Sequence, residues 1–169
     1  MRNRLLELDI HLTNRLRIAE QPGPLRSLAS ILAHSGDSWF WLLGLLLIWV
    51  FGPGPWKVIA QSLVFALLLT AALVMAIKFS IRRRRPEGNW GSIYRNTDPH
   101  SFPSGHAVRV VLLAIISVAF LPIWGTILLA IWAPLVSLAR VAMGVHYLSD
   151  VLAGMVLGAA LGVIFLTLL

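Results

Sequence analysis

Residues 58–77, "VIAQSLVFALLLTAALVMAI", form a continuous apolar segment of the length that a helix needs to cross a bilayer. Gln61, Ser62 and Thr70 are the polar side chains within it. The rest of the chain is similar in character, since 58% of its 169 residues are hydrophobic and only 12% are charged. Soluble domains average about 45–50% apolar residues. The sequence therefore predicts a membrane protein.

Four further apolar segments flank this one and predict four more crossings. They are Leu25–Ala33 joined to Trp39–Phe51 across the polar stretch "HSGDS", then Ala107–Leu121, Trp124 to about Val145, and Val151–Leu169. Within residues 1–24, leucines recur at helical spacing between arginines, which is typical of an amphipathic helix on the bilayer surface. We therefore predict an all-α polytopic membrane bundle of about five transmembrane helices plus an N-terminal amphipathic interfacial helix, forming one domain over residues 1–169.

Composition and charge limit the kinds of ligand and partner that the chain can bind. The chain has no cysteine, which excludes disulfides and thiolate metal sites. Its net charge of +7 is carried on too little polar surface for a duplex-sized basic face, so we expect no nucleic-acid partner. Membrane lipids and an anionic, phosphorylated substrate fit better. The first twenty residues lack an apolar run of signal-peptide length, so we expect no cleavage there.

The last apolar segment is rich in small side chains. Glycine or alanine stands at positions 153, 154, 158, 159, 160 and 162. Small residues let the backbones of neighbouring membrane helices approach closely. We expect this segment to pack tightly against another helix.

Three polar clusters stand at ends of the predicted crossings, and counting crossings places all three on one membrane face. The first contains Lys78 and Arg85, which are seven residues apart and on a helix would project from nearly the same face. Two such cations could hold different oxygens of one polyanion. The alternative is a juxtamembrane basic run that contacts anionic headgroups.

The second cluster, Pro103-Ser104-Gly105-His106, opens the third crossing. The free amides of a first helical turn and the positive end of the helix dipole bind phosphate readily. Ser104 can cap the helix or donate its hydroxyl, Gly105 permits close backbone approach, and His106 can transfer a proton. Taken alone, His106 could equally be an interfacial hydrogen-bonding residue.

The third cluster places His146 and Asp150 four residues apart, on one face if the segment is helical. The carboxylate could then fix the imidazole tautomer and leave the other ring nitrogen free as a nucleophile. Arg140, at the end of a crossing, needs a partner. A helix-capping pair is the alternative for His146 and Asp150. The three clusters together predict metal-free phosphoryl transfer without a cofactor, because they supply cations, amides and two histidines but no cluster of carboxylates.

At these residues the sequence resembles the type 2 phosphatidic acid phosphatase family, the membrane relatives of the vanadium haloperoxidases. The family pattern is Lys, six residues, Arg-Pro; then Pro-Ser-Gly-His; then Ser-Arg, five residues, His, three residues, Asp. All three motifs occur here in order between residues 78 and 150. One position departs from the pattern, since Ala139 stands where the family usually has a serine that contacts phosphate. Its loss should weaken one hydrogen bond, by about 1 kcal/mol.

The resemblance implies a mechanism. His146 would attack phosphorus to give a phosphohistidine, Asp150 would orient it, and His106 would protonate the leaving oxygen. Water would then hydrolyse the intermediate. The remaining motif residues would hold the phosphate oxygens: Lys78, Arg85, Ser104, the Gly105 amide and Arg140.

Several other polar residues have no role in the motifs. Arg109 follows His106 by three residues and could reach a second phosphate or a sugar group of the substrate headgroup, or else extend to a lipid headgroup. We expect Arg82, Arg83 and Arg84 to face headgroups or solvent in part, and His100 to lie near the pocket rim. His11 and His34 are expected to be interfacial, and the sequence identifies no partner for either.

The substrate and the membrane face are less determined. We expect an integral lipid phosphate phosphatase in the cell (inner) membrane, with polyprenyl diphosphate or phosphate favoured over phosphatidylglycerol phosphate, phosphatidic acid or a prenyl-linked sugar phosphate. A phosphotransferase would use the same residues, and a non-catalytic lipid-binding or lipid-translocating protein is the alternative of another class. Family resemblance favours an extracytoplasmic site, whereas the positive-inside rule favours the cytoplasm, because Lys57 is the one basic residue predicted on the opposite face.

Overall fold

A computed structural model describes residues 2–88 and 90–168, without the side chains of Arg2, Asn3 and Ile93. Within that range the chain forms helices and no strand, which confirms the all-α prediction. The helices are α1 (Arg2–Leu16), α2 (Pro24–Ser35), α3 (Ser38–Phe51), α4 (Gly54–Ile81), α5 (Ser92–Thr97), α6 (Gly105–Ile116), α7 (Ile123–Ala142) and α8 (Leu148–Leu168). A 3-10 turn, Ser117–Ala119, extends α6.

Helices α4, α7 and α8 are each long and apolar enough to cross a membrane. Helices α2 and α3 pass the same test only as a pair, bent by 50° at a break that contains Gly36 and Asp37. Helix α6 with its 3-10 turn, Gly105–Ala119, is apolar but shorter. By length and composition the described residues therefore hold three crossings, or four with the bent pair, and the chain is a multi-pass membrane protein. The exact number of five crossings stays a prediction.

Two helix boundaries correct the sequence analysis. Helix α4 ends at Ile81, where Arg82 adopts left-handed backbone angles (φ 53°), so Arg85 lies in the following loop and shares no helical face with Lys78. Helix α8 begins only at Leu148, so His146 lies in the turn before it and shares no helical face with Asp150. The two residues of each pair still lie close together, because the loop between them, and not a shared helix, brings them together.

Helix α6 lies at the centre of the bundle and packs against α7 and α8. Gly154, Gly158 and Gly162 of α8 face it so closely that an added Cβ on Gly154 would lie 2.7 Å from the carbonyl oxygen of Ser104. The predicted close packing is confirmed at these three glycines. It aligns the starts of the two helices, because the Ser104 amide donates to the Asp150 carbonyl oxygen at 3.0 Å.

Helix α1 packs across the start of α8. The Thr13 hydroxyl accepts a hydrogen bond from the Leu148 amide, and Asp9 accepts one from the Ser149 amide, both at 3.0 Å. These side chains satisfy amides that a helix leaves free in its first turn. Leu5 and Leu8 of α1 are exposed, 62% and 52% respectively. The position of α1 at the bilayer surface stays a prediction.

Candidate active site

The predicted site residues surround a cavity of about 240 Å³ at one end of the bundle. Seven of them line it: Lys78, Arg85, Gly105, His106, Arg109, Arg140 and His146. Ser104 and Asp150 are fully buried and lie outside this lining. Residues that the sequence analysis did not select complete the wall, namely Ser38, Leu67, Thr70, Ala71, Val74, Met75, Tyr94 and Asp98.

Lys78 and Arg85 meet at one carboxylate, Asp98. Lys78 Nζ forms an ion pair with Asp98 Oδ2 and donates to the His100 carbonyl oxygen at 3.0 Å. Arg85 Nη2 lies 2.8 Å from the same Oδ2. Burial lowers the pKa of Arg85, and Asp98 opposes that shift. Sequence reasoning missed Asp98 because it lies outside the three motifs, in the long loop before α6.

Arg140 is fully buried at the end of α7. Its guanidinium carbon lies 4.5 Å from the centre of the Tyr94 ring, and Nη1 is 3.4 Å from the Tyr94 hydroxyl. Its Nε has no hydrogen-bond partner among the described residues. The sequence analysis did not identify Tyr94 as the neighbour of Arg140. The Nε–H donor of Arg140 remains available to a ligand.

His146 is buried in the turn between α7 and α8, with 1% of its surface exposed. Its Nε2 lies 3.0 Å from Arg85 Nη1. Its Nδ1 is 3.6 Å from Asp150 Oδ2, which exceeds ordinary hydrogen-bond length. Burial, followed by the nearby charges of Arg85 and Arg140, holds the pKa of His146 well below its usual value. The ring is therefore neutral at physiological pH.

Asp150 is held from two sides. Oδ2 accepts a hydrogen bond from the Tyr147 amide at 2.9 Å, and Oδ1 accepts one from Arg83 Nη1 at 2.7 Å. Arg83 also contacts Asp9 of α1 at 2.7 Å. These two carboxylates hold Arg83 inward, so its side chain is only partly exposed, at 20%. Arg82 and Arg84 are exposed, as predicted.

His106, in the first turn of α6, is bound to a carboxylate distant in sequence. Its Nε2 lies 2.6 Å from Asp37 Oδ1 in the break between α2 and α3. The other Asp37 oxygen is 3.0 Å from His34 Nδ1. Asp37 is therefore a partner of His34 that the sequence did not identify. A signal for Asp37 was present in the sequence, since a charge that interrupts an apolar segment is expected to face a partner.

Arg109 turns inward from α6. Its Nη1 donates to the Gly36 carbonyl oxygen at 2.5 Å, and the side chain lines the cavity. Of the two alternatives for Arg109, extension to a lipid headgroup is contradicted by this inward position.

Three further positions complete the comparison with the motifs. The Ser104 hydroxyl accepts a hydrogen bond from the Ala107 amide at 3.5 Å, so it serves as the N-cap of α6. An added Cβ on Gly105 would lie 3.5 Å from Val74, which is ordinary van der Waals contact. Ala139 is buried in a small-residue contact with α2 and does not line the cavity.

The arrangement combines cations that can neutralise a phosphate with two histidines, each beside a carboxylate. The described residues contain no group of three or more histidine and carboxylate side chains placed to hold a metal ion. The amides at the start of α6 border the same cavity. Such a site can bind a phosphoryl group and exchange protons with it.

The helical membrane fold and the three motifs define a class of membrane phosphatases. The chain belongs to the PAP2 superfamily, whose family model matches residues 59–169.

Relatives and solved structures agree with this assignment. The chain is 32% identical over 143 residues to undecaprenyl-diphosphatase of Sulfolobus acidocaldarius, covering 82% of this chain and 68% of the relative. It is 30% identical over 163 residues to decaprenylphosphoryl-5-phosphoribose phosphatase of Mycobacterium tuberculosis, covering 94% and 88%. The fold matches that of the PAP2-type phosphatidylglycerolphosphate phosphatase of Bacillus subtilis with a TM-score of 0.80, at 24% identity, covering 98% of this chain and 86% of that one.

Proposed function

We propose that this membrane phosphatase hydrolyses a polyprenyl diphosphate or phosphate at the cavity between His146 and His106. The observation that carries the proposal is the position of both histidines on one cavity whose wall also holds Lys78, Arg85 and Arg140. The two curated relatives named above support a polyprenyl substrate by their names.

Substrate binding would replace contacts that the side chains of the site now make with one another. Phosphate oxygens would take the donors of Lys78 and Arg85 that now contact Asp98, together with the free Nε of Arg140. The Gly105 amide at the start of α6 would add a donor, with Ser104 as the cap that fixes this helix start. Preorganised cations and amides stabilise charge on the equatorial oxygens as the transition state forms.

In the first chemical step His146 Nε2 would attack phosphorus while the bond from phosphorus to the leaving oxygen breaks. Asp150 lies on the Nδ1 side and would stabilise the positive charge that develops on the ring. Arg85 Nη1, now 3.0 Å from Nε2, would have to move to a phosphate oxygen. His106 would give its proton to the leaving oxygen, with Asp37 stabilising its charged form.

In the second step a water molecule would attack the phosphohistidine. His106, now neutral, would accept the proton of that water, and the bond between phosphorus and Nε2 would break to release phosphate. Both residues then return to their starting protonation states. No step requires a metal ion, because side-chain cations balance the phosphate charge.

A prenyl-linked sugar phosphate is the second candidate substrate. It is favoured by the Mycobacterium tuberculosis relative, a decaprenylphosphoryl-5-phosphoribose phosphatase that aligns over 94% of this chain. Both candidates share a polyprenyl chain and a phosphoryl group. They differ in the group next to the scissile bond.

For the membrane topology, we propose five crossings, with α2 and α3 as one bent crossing and α4, α6, α7 and α8 as the others. Helix α6 can be short because its residues are largely buried within the bundle. We place the active site on the extracytoplasmic face of the cell membrane. Internal pairing of arginines such as Arg83 and Arg85 supports this, since paired charges weigh less in the positive-inside rule. The exposed Ser92, changed to cysteine, should react with an impermeant thiol reagent in intact cells; labelling only after membrane disruption contradicts this placement.

The test of function is phosphate release by the purified protein from polyprenyl diphosphate, polyprenyl phosphate, a prenyl-linked sugar phosphate, phosphatidylglycerol phosphate and phosphatidic acid. We expect release from the polyprenyl substrates in the presence of a chelator, inhibition by vanadate, and a phosphohistidine that acid quenching destroys and alkali preserves. His146→Ala should form no such intermediate. Phospholipid binding without any release by the wild type would favour a lipid-binding protein, and transfer of phosphate to an alcohol in place of water would indicate a phosphotransferase.

A further inference from the structure

Arg109 carries a partly buried charge that the proposed reaction does not use. Within the described residues its one hydrogen bond goes to the Gly36 carbonyl oxygen, and it forms no ion pair. The neighbouring carboxylate, Asp37, directs its two oxygens to His106 and His34. A guanidinium at this depth in a membrane bundle is costly unless an anion balances it. The structure thus leaves a cation inside the cavity without an ionic partner.

The charged side chains around the cavity also show an excess of positive charge. Four cationic side chains line it: Lys78, Arg85, Arg109 and Arg140. Among the described residues, three carboxylates face these cations or the cavity histidines: Asp98, shared by Lys78 and Arg85, Asp37 beside His106, and Asp150 beside His146. Asp150 is paired with Arg83 outside the cavity. The surplus of positive charge suits a ligand with more negative charge than a phosphate diester carries.

Arg109 lies about one helical turn further into the bundle than His106. Along α6, Arg109 follows His106 by three residues, which corresponds to about 4.5 Å deeper into the bundle. His106 is the proposed donor to the leaving oxygen. The group attached to that oxygen would therefore lie beyond His106, on the Arg109 side.

A second polar group is present in the same deeper part of the cavity. The Thr70 hydroxyl lines the cavity, is 4% exposed, and has no hydrogen-bond partner among the described residues. It precedes Lys78 by eight residues on α4, about 12 Å along the axis. Leu67 and Val74 make the adjacent wall apolar. A buried hydroxyl without a partner points to a polar ligand atom at this level.

We propose that Arg109, assisted by Thr70, forms a subsite for the phosphoryl group that leaves with the lipid, so that the cavity selects a lipid diphosphate over a lipid monophosphate. This rests on the proposed function. His146 attacks the terminal phosphorus, the bond to the bridging oxygen breaks, and that oxygen leaves on the lipid monophosphate with the proton from His106. Arg109 balances the charge of the departing phosphate, and the apolar wall receives the start of the prenyl chain.

The experiment compares farnesyl diphosphate with farnesyl monophosphate, which differ by the group in question. In Arg109→Gln we expect kcat/KM for the diphosphate to fall by about 10- to 100-fold, the range for hydrogen bonds to a charged group, and that for the monophosphate by less than about threefold. Retained monophosphate activity shows that the variant is folded. Arg109→Lys keeps the positive charge without the paired N–H donors of a guanidinium, so its kcat/KM for the diphosphate should fall less. Thr70→Val should shift the preference in the same direction, by a smaller factor.

Arg82→Gln is the matched control, because Arg82 is exposed on the loop side of α4 and should leave both rates unchanged. An equal loss on both substrates in Arg109→Gln and Arg109→Lys, or no loss on the diphosphate, overturns the subsite. Failure of the wild type to release phosphate from either compound contradicts the proposed polyprenyl function instead. The two failures are therefore distinguishable.

Discussion

The two histidines of the cavity are each beside a carboxylate, but the carboxylates come from different parts of the chain. His146 faces Asp150, four residues later, at 3.6 Å. His106 binds Asp37, which precedes it by 69 residues, at 2.6 Å. The first pair follows from one turn and the start of one helix, whereas the second requires the break between α2 and α3 to lie against α6.

The supports behind the two pairs differ as well. Asp150 is held by Arg83, which Asp9 of α1 holds in turn, and the start of α8 is aligned with α6 through Gly154. Asp37 is held by the bend of the α2–α3 pair and by His34. A change on the His146 side should therefore affect formation of the phosphoenzyme with any leaving group. A change on the His106 side should slow formation of the phosphoenzyme only from substrates whose leaving group needs a proton.

The largest expected effect separates the two histidines by their roles. His146→Ala should lower kcat by on the order of 10⁴-fold or more for every phosphoester, because the nucleophile is lost. His106→Ala should slow phosphoenzyme formation about 10²–10⁴-fold from a prenyl phosphate but much less from p-nitrophenyl phosphate, whose leaving group departs without a proton. Single-turnover release of the leaving group from both compounds measures this.

His100→Ala serves as the control for removal of a histidine ring, since Lys78 contacts only the backbone carbonyl of His100. Its two rates should stay close to those of the wild type. If p-nitrophenyl phosphate restores activity to His146→Ala but not to His106→Ala, the two roles are reversed.

The carboxylates come next. Asp150→Asn should lower kcat by about 10²–10⁴-fold with both leaving groups, since an amide stabilises the charged ring poorly. Asp37→Asn should slow phosphoenzyme formation by about 10- to 100-fold from the prenyl phosphate alone, because only part of the contribution of His106 is lost. The ratio of the two substrates' single-turnover rates is the measurement. A loss in Asp37→Asn that is equal for both substrates would remove the distinction between the two sides.

A smaller effect is expected for Asp9 of α1, which contacts Asp150 only through Arg83. Asp9→Asn weakens the ion pair to Arg83 and should lower kcat by about threefold to tenfold, with KM nearly unchanged, because Asp9 acts through Asp150. The loss should be the same for both leaving groups. Glu7→Gln, on the same helix, is the control and should have no effect, because Glu7 is exposed. A change in KM alone would assign α1 to substrate access.

The smallest expected effect concerns the pKa of His146 and its contribution to the stability of the folded state. The lowered pKa of His146 means that its ring stays neutral as the pH falls through about 6.5, the ordinary value. The unfolded chain takes up that proton first, so His146 should make the folded state less stable as the pH falls below about 6.5. Arg85→Gln removes a nearby charge and should raise the pKa. The pKa of His146 in the wild type and in Arg85→Gln can be measured by nitrogen NMR of labelled imidazoles in nanodiscs, with His146→Gln to identify the signal. A lower pKa in Arg85→Gln than in the wild type would contradict the expected direction.

Much of the site could be predicted because its motifs are local. The Pro103–His106 stretch places cap, amides and histidine at one helix start, and the spacing of His146 and Asp150 lets one turn bring them together. The helical face invoked for each pair was nevertheless wrong. Arg82 ends α4 early and α8 starts late, and loop geometry of this kind depends on what the loop packs against.

The sequence by itself determined an all-helical membrane protein, the small-residue face of α8, and the residues that gather at one cavity, since these depend on hydropathy, side-chain size and short spacings. Only the tertiary structure decided the partners. Asp98 between Lys78 and Arg85, Asp37 on His106, and Asp9 behind Arg83 are all ionic contacts across long stretches of chain. In a membrane bundle a buried charge must find an opposite charge, but which one it finds depends on how the helices pack.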